Sequence, residues 1–544
     1  SDVMPDTPTD GFATWNAVDP HPSGFLMSEG NLKLVRSTAS SDLTATINIP
    51  SSGAYYFEVL WNGVGADTLI GLGSFVHQYR KDGKIYNNNS LLGTYATYTS
   101  GDIVGVGVNA DNDLISFYKN GTLIHSFTGS VTSADLSVYT YMTTGASQIA
   151  NFGQDSSFNA TKVPQGNTDA NGKGDFFYAP PSGYLALCNA NLPDPAIDPN
   201  KGENPEDYFN IVSYSGNSGT NAVTGVGFQP DWTWVKSRNT TGEAQKVVDS
   251  VRGAGLTVFP SGSSAEIDYS GVGLNSFDTD GFTVSHSAAN NQWNVSGRNY
   301  IAYNWKAGGT AVTNNDGSIQ STVSANTDAG FSIATYTGNN TAGATVGHGL
   351  GVAPKWVLVK SRSNAHSWIA GHEGIASDPW TDCLLFDTAD IASDSALFWN
   401  DTAPSSSVVT LGGGYLPVNG NGYTYVMYSF AEKKGYSKFG SYTGNSSNDG
   451  PFVYTGFKPA YLIMKATTGS VQNWHQVDNA RNEFNVVDKY FLTNSQNAEL
   501  TAGLVDFLSN GFKIRNSANA INNSGVNYVY IAFAEQPFKY SNAR

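Results

Sequence analysis

The chain has 544 residues, more than one core can use, which sets an expectation of about three to five domains. Charged residues are 14% of it, against roughly 25% in an ordinary soluble protein. The net charge of −16 excludes a phosphate-neutralising groove and disfavours attachment to anionic membranes.

Gly, Ser, Thr and Asn fill the charge deficit, and aromatic residues reach 12%. That mixture suits β-structure with polar turns and aromatic cross-strand pairs, and it is unlike a disordered chain. No apolar run approaches the roughly 20 residues of a membrane span. No leader is visible, although a chain beginning with Ser could have lost one. The two cysteines, Cys188 and Cys383, stand far apart without metal-site neighbours and read as free, partly buried thiols.

The first block runs from about 12 to 152, within an expected domain 1–154. Its predicted strands are ATINIP (45–50), YYFEVLW (55–61), TLIGLGS (68–74) and DIVGVGVNA (102–110). LISFYKNGTLIHSF (114–127) predicts a hairpin, because Asn-Gly supplies the positive φ angles of a tight turn. Short strands at this spacing predict a β-sandwich.

Residues 155–207 follow, with six prolines inside APPSGYLALCNANLPDPAIDPNKGENPEDYF (179–209). This stretch reads as an extended, semi-rigid connector, with one ordered turn or strand at 184–192.

The rest repeats one schedule in three blocks, 208–309, 310–434 and 435–544. Each opens on a strand ending in YSGN (214–217) or YTGN (336–339 and 442–445). Each continues with a Gly, a short gap, a Pro and an aromatic-apolar strand ending in Lys236, Lys360 or Lys465. A late Gly-aromatic strand follows in each: DGFTV (280–284), GGYLPV (413–418) and NGFKI (510–514). Each closes on an aromatic-rich strand: YIAYNWKAG (300–308), YTYVMYSFAEK (423–433) or YVYIAFAEQ (528–536).

A period of roughly a hundred residues is too long for a solenoid, so three related β-sandwiches are expected. Pro230, Pro354 and Pro459 would begin strands where no amide is required. Gly216, Gly338 and Gly444 would take turn conformations closed to other residues. The three lysines would close salt bridges or hold their heads in water.

GDIVGVGVNADNDLISFYKNGTLI (101–124), with YYFEV, IGLG (70–73) and NFGQ (151–154), resembles the SPRY domain, a branch of the concanavalin-like sandwiches. That resemblance implies a binding module without catalysis, its ligand met by loops at one end. GFQPDWTWVKSR (227–238), DSVRG (249–253), LNSFDTDGFTV (274–284) and YIAYNWKAGG (300–309) resemble a domain of tailed, especially marine, bacteriophage structural proteins. FATWNAVDP (12–20) and the connector at 179–193 fit the same resemblance. The second and third repeats preserve neither DSVRG nor the full FDTDGF.

The resemblance implies a virion surface protein: a tail fibre or receptor-binding protein, homotrimeric, extracellular, contacting other virion proteins and a host glycan or envelope receptor. A capsid decoration protein, a secreted bacterial lectin or adhesin, and a polysaccharide depolymerase are the alternatives.

Catalytic signals are thin. GHEG (371–374) lacks the second histidine of a zinc protease helix, and no GxSxG elbow or P-loop is present. GVGVNA lies within a predicted strand, and NADNDL (109–114) belongs to the hairpin rather than to a calcium loop. His366 and His372 are the closest histidine pair. No catalytic residue, metal ligand, cofactor, nucleic-acid partner or membrane insertion is expected. A depolymerase would need two carboxylates facing one groove, and such pairs are not legible in sequence.

The candidate ligand-binding residues lie where loops on rigid sandwiches would carry them. In loop 74–90 they are Tyr79, Arg80, Lys81 and Tyr86. In segments 361–412 and 466–509 they are Trp368, Trp380, Trp399 and Trp474. Exposed rings would stack on pyranose faces. A solvated hairpin for the first set, and core or subunit contacts for the tryptophans, are the alternatives.

Overall fold

The computed structural model describes residues 10–541 apart from 20–23, 39, 64–67, 74, 130, 132–135, 288–291 and 376–379. Pro20, Ser74 and residues 376–379, which fall within expected segments, lie outside the described residues. The chain is all-β and forms two compact units, Ser1–Asp194 and Pro195–Arg544.

The first unit is a sandwich of two antiparallel sheets. One runs in the order Phe25–Ser28, Lys33–Arg36, Ser147–Asn151, Ala54–Trp61, Ile103–Asn109, Leu114–Lys119, Thr122–Thr128. The other runs Ser41–Thr44, Val138–Met142, Leu69–Leu72, His77–Arg80, Lys84–Asn87, Ser90–Thr94. The expected hairpin forms, with Asn120 at φ 50° and Gly121 at φ 76°. ATINIP is not a regular strand; it touches its neighbours through single bridges at Ala45 and Ile49.

The spacer expectation is corrected for residues 155–194, which fold onto this sandwich. Prolines deny them regular elements, but carboxylates and amides take over the backbone bonding. Glu58 accepts from the amides of Tyr178 at 2.8 Å and Phe177 at 2.9 Å. Asp169 Oδ2 accepts from Ala186 N at 2.8 Å and Asn191 Nδ2 at 2.7 Å. Leu185–Ala186 then pairs in parallel with Tyr55–Tyr56. Cys188 is buried and free, as is Cys383 in the second unit.

The second unit holds the three repeats, and each builds the same four-strand order. The first has Phe209–Ser215, Asn299–Trp305, Trp232–Ser237 and Lys246–Asp249. The second has Phe331–Thr337, Thr424–Phe430, Trp356–Ser361 and Ile369–His372, and the third Ser437–Thr443, Asn527–Pro537, Phe457–Ala466 and His475–Asp478. Pro230 and Pro354 stand just before the lysine strands, while Pro459 lies inside one, where the ladder is irregular.

Both faces of these sheets are covered. Tyr300 and Ala302 point into the first repeat's own core, with Phe282 and Trp293. Their neighbours Ile301, Tyr303 and Trp305 point into a core shared by all three repeats. Its centre is a triangle of equivalent rings. Trp305 and Phe533 lie 5.5 Å apart, Phe430 and Phe533 6.0 Å, and Trp305 and Phe430 6.5 Å. The sandwiches therefore follow one another along the chain but close in space around a pseudo-threefold core.

The YxGN corners are corrected in one respect. Gly216, Gly338 and Gly444 do not adopt positive φ. Each is required by close approach: an added Cβ would stand 2.1 Å from Val295 O, 2.4 Å from Gly420 O and 2.3 Å from Asn523 O. The preceding tyrosines stack on a partner of the closing strand. Tyr214–Tyr300, Tyr336–Tyr425 and Tyr442–Tyr528 have centroids 4.9, 5.0 and 5.1 Å apart.

Candidate functional site

The outer face of the first unit's second sheet brings half-buried cations and rings together. Strand pairing sets Tyr141 opposite Leu69 and Leu69 opposite Arg80. The next row holds Tyr139, Gly71, Gln78 and Tyr86. Gly71 has no Cβ, so the Tyr139 ring lies over it; a methyl there would meet the ring at 2.5 Å. Phe75, in the turn at φ 72°, covers this floor, with its ring 5.2 Å from Tyr139 and 5.6 Å from Tyr141.

Charged groups form the rim. The Arg80 guanidinium stands 4.5 Å over the Tyr86 ring, and its Nε donates to Gln78 Oε1 at 2.9 Å. Lys84 pairs with Asp82 at 2.6 Å. Burial opposes ionisation of Asp82, but bonds from the Lys84 ammonium and amide hold its carboxyl below the usual range. The Lys84 amine is held above its usual value by the same pair. Phe75, Arg80, Lys81, Asp82, Lys84 and Tyr141 line a cleft of about 470 Å³ together with Thr68 and Leu69.

The structure thus gathers Arg80 and Tyr86 on one face, whereas Lys81, just past the end of the Arg80 strand, lines the cleft but holds its ammonium 5.9 Å over the Trp61 ring of the other sheet. Tyr79 is corrected. It alternates to the inner side, is fully buried, and donates to Ala96 O at 2.5 Å, with burial pushing its hydroxyl up to about 12. Phe75, Tyr141 and Lys84 were missed; their signal was strand alternation across neighbours, legible only once pairing is known.

The four tryptophan expectations are also corrected. Trp380 and Trp399 meet edge to face at 5.8 Å inside the second repeat's core. Trp368 Nε1 donates to Phe259 O at 2.8 Å, and Trp474 Nε1 to Leu385 O at 3.1 Å. Each of these two stands just before its repeat's fourth strand and reaches the preceding repeat. Gln245 holds the same position in the first repeat and donates to Leu492 O of the third at 2.9 Å. These side chains lock repeat to repeat and offer no free face to a sugar.

The recurring lysines do the same and are buried to the head. Lys236 reaches Gln496 O of the third repeat at 3.3 Å, Lys360 reaches Ser263 O of the first at 2.8 Å, and Lys465 reaches Ala389 O of the second at 3.1 Å. Desolvation lowers their amines to about 7, 8 and 8 respectively. They neither close salt bridges nor face water.

Two histidines singled out by the sequence do not share a site. His366 stacks on Tyr423, and His372 is buried against Tyr530 O at 3.1 Å. Among the described residues, no group of three or more His, Cys, Asp or Glu is placed to hold a metal ion. In the first unit the Glu58 carboxyl is displaced toward neutrality. Burial raises it to about 7, against the opposing bonds from Tyr178, Phe177, Tyr56 and Asn151. Those donors make it a clasp for residues 177–178.

The two-sheet sandwich of the first unit is of the SPRY type: the SPRY domain model matches residues 62–155. The larger unit falls under the model described as Domain of unknown function (DUF7483), which matches residues 204–537, and the chain belongs to that family. Similar solved structures include the human SPRY domain, at 20% identity over 24% of this chain and 94% of that one, with a TM-score of 0.21. The SPRY domain of human HERC1 is 20% identical over 23% and 91%, with a TM-score of 0.21. The TRIM65 PSpry domain is 10% identical over 26% and 91%, with a TM-score of 0.22. No curated protein matches the chain.

Proposed function

We propose that the chain is a noncatalytic adhesion protein on the surface of a tailed-phage particle, a tail fibre or receptor-binding protein that attaches to an acidic glycan of the host envelope. The observation that carries this reading is the face built by Phe75, Tyr141, Tyr86, Arg80 and Lys84. It places rings and cations together in a chain whose net charge is −16. Rings stack on pyranose faces, and guanidinium and ammonium groups pair with carboxylate or sulfate. The phage assignment is supported by the resemblance of residues 12–20, 179–193 and 227–309.

Incubation with purified acidic polysaccharides tests it. Retention of the chain on immobilised polymer, with polymer viscosity unchanged, supports adhesion. A falling viscosity makes the chain a depolymerase, and absence of retention removes the glycan.

One observation favours a second reading, a capsid decoration or other structural virion protein. The three repeats bury, within one chain, aromatic surface that a homotrimer would bury between chains. Light scattering separates the two. A mass near three times 57.8 kDa supports a fibre, and a mass near 57.8 kDa supports a protein held by its particle.

A further inference from the structure

Lys458, Asn479 and Glu535 meet on three neighbouring segments of the third repeat. Glu535 Oε1 accepts from Lys458 Nζ at 2.5 Å, and its Oε2 accepts from Asn479 Nδ2 at 2.7 Å. Phe457–Ala466, which carries Lys458, pairs on one side with the strand carrying Glu535 and on the other with the strand that Asn479 follows. The amide of Asn479 donates to Ala460 O at 2.9 Å, which fixes it close to Lys458 along the sheet. The Lys458 side chain is only 8% exposed.

The equivalent corners of the other repeats hold simpler pairs. In the first, Ser250 donates to Asp231 at 2.7 Å; in the second, Lys355 pairs with Glu373. Neither joins an amine, a carboxamide and a carboxylate. In the third repeat one carboxylate holds the other two groups side by side, the arrangement that turns an intermolecular condensation into a favoured intramolecular one.

We propose that Lys458 and Asn479 condense into an intramolecular isopeptide bond, with Glu535 as the proton shuttle. Glu535 takes a proton from the Lys458 ammonium, and the freed electron pair on Nζ attacks Cγ of Asn479. The tetrahedral intermediate collapses with breakage of Cγ–Nδ2. Glu535 returns the proton to the departing nitrogen, which leaves as ammonia and takes up the second ammonium proton. An Nζ–Cγ amide replaces the carboxamide, and nothing is oxidised or reduced. The bond staples two adjacent strands.

Intact-mass spectrometry of the purified full chain tests this. The expected mass lies one ammonia below that of the sequence, and Lys458→Arg and Glu535→Gln restore the full mass. Peptide mapping should give one branched peptide containing Lys458 and Asn479. A wild-type chain at its full sequence mass overturns the proposal. So does an ammonia loss that maps elsewhere or persists in Lys458→Arg.

Discussion

Tyr428 donates a hydrogen bond to Asp249, 2.7 Å across the boundary between the second and first repeats. Asp249 also receives Arg252 at 2.5 Å, and Arg252 continues to Glu266, which pairs with Arg362 of the second repeat. The boundary between the first and third repeats has the same ladder: Tyr303 to Asp478 at 2.9 Å, Arg481, Glu499, Arg238. Asp478 and Arg481 thus keep the acid and base of DSVRG in the third repeat, whose sequence does not preserve the whole motif. Removing one partner strands a buried charge, so Asp249→Ala should cost about 3–5 kcal/mol. Tyr428→Phe should cost about 1.5–3 kcal/mol. Denaturant unfolding monitored on the second unit's tryptophans measures both.

The boundary between the second and third repeats lacks this ladder. His372 takes the aspartate's place and Ile531 the tyrosine's. Burial lowers His372 to about 4, against its bond to Tyr530 O. A folded value below the unfolded 6.5 means that stability is full above pH 6.5 and is lost as pH falls toward 4. His475, lowered likewise to about 4, adds in the same direction. Melting temperatures should fall over that window, less steeply for His372→Gln. Equal slopes would refute the assignment.

Glu58 acts with the opposite sign. Its folded value of about 7 lies above the unfolded 4.5, so its contribution is full below pH 4.5 and is lost as pH rises through 7. Glu58→Gln removes an acceptor facing donors only and should destabilise the first unit. The wild-type advantage over that variant should shrink from pH 5 to pH 8 in thermal melts.

Gly338→Ala would drive a methyl to 2.4 Å from Gly420 O. Overpacking of this kind costs about 1–3 kcal/mol. Asn419→Ala at the same corner would remove the acceptor of the Asn339 amide and the donor to the Thr341 and Gly412 carbonyls. It should cost at least as much in a chemical denaturation series.

Part of this architecture is legible in the sequence. Asn120-Gly121 announces its hairpin, and the repeated tyrosines, prolines and lysines announce three related blocks. The shared core is less visible, because alternation in YIAYNW reads as one buried face. The stronger signal is that Ile301, Tyr303 and Trp305 are as apolar as Tyr300 and Ala302, the mark of a sheet covered on both sides. The repeat-to-repeat bonds of Trp368, Trp474 and Lys360 end on backbone carbonyls, which leave no trace in side-chain identity. The docking of residues 155–194 is hidden for the same reason: Glu58 and Asp169 bind backbone amides. Asn294, Asn419 and Asn522, buried beneath the three corners, did have a signal, an Asn followed three residues on by Gly and then by Tyr.

The proposed function rests on the Arg80–Tyr86 face binding an acidic glycan. Its most direct test is a binding titration of the full chain on immobilised alginate, hyaluronate and chondroitin sulfate, with Arg80→Ala and Tyr86→Ala alongside. Saturable, salt-sensitive binding to at least one polymer is the expected result. Each variant should weaken it about tenfold or more, a loss of about 1.4 kcal/mol, at unchanged melting temperature. Equal affinity of both variants with the wild type, or no binding to any of the three, would contradict it.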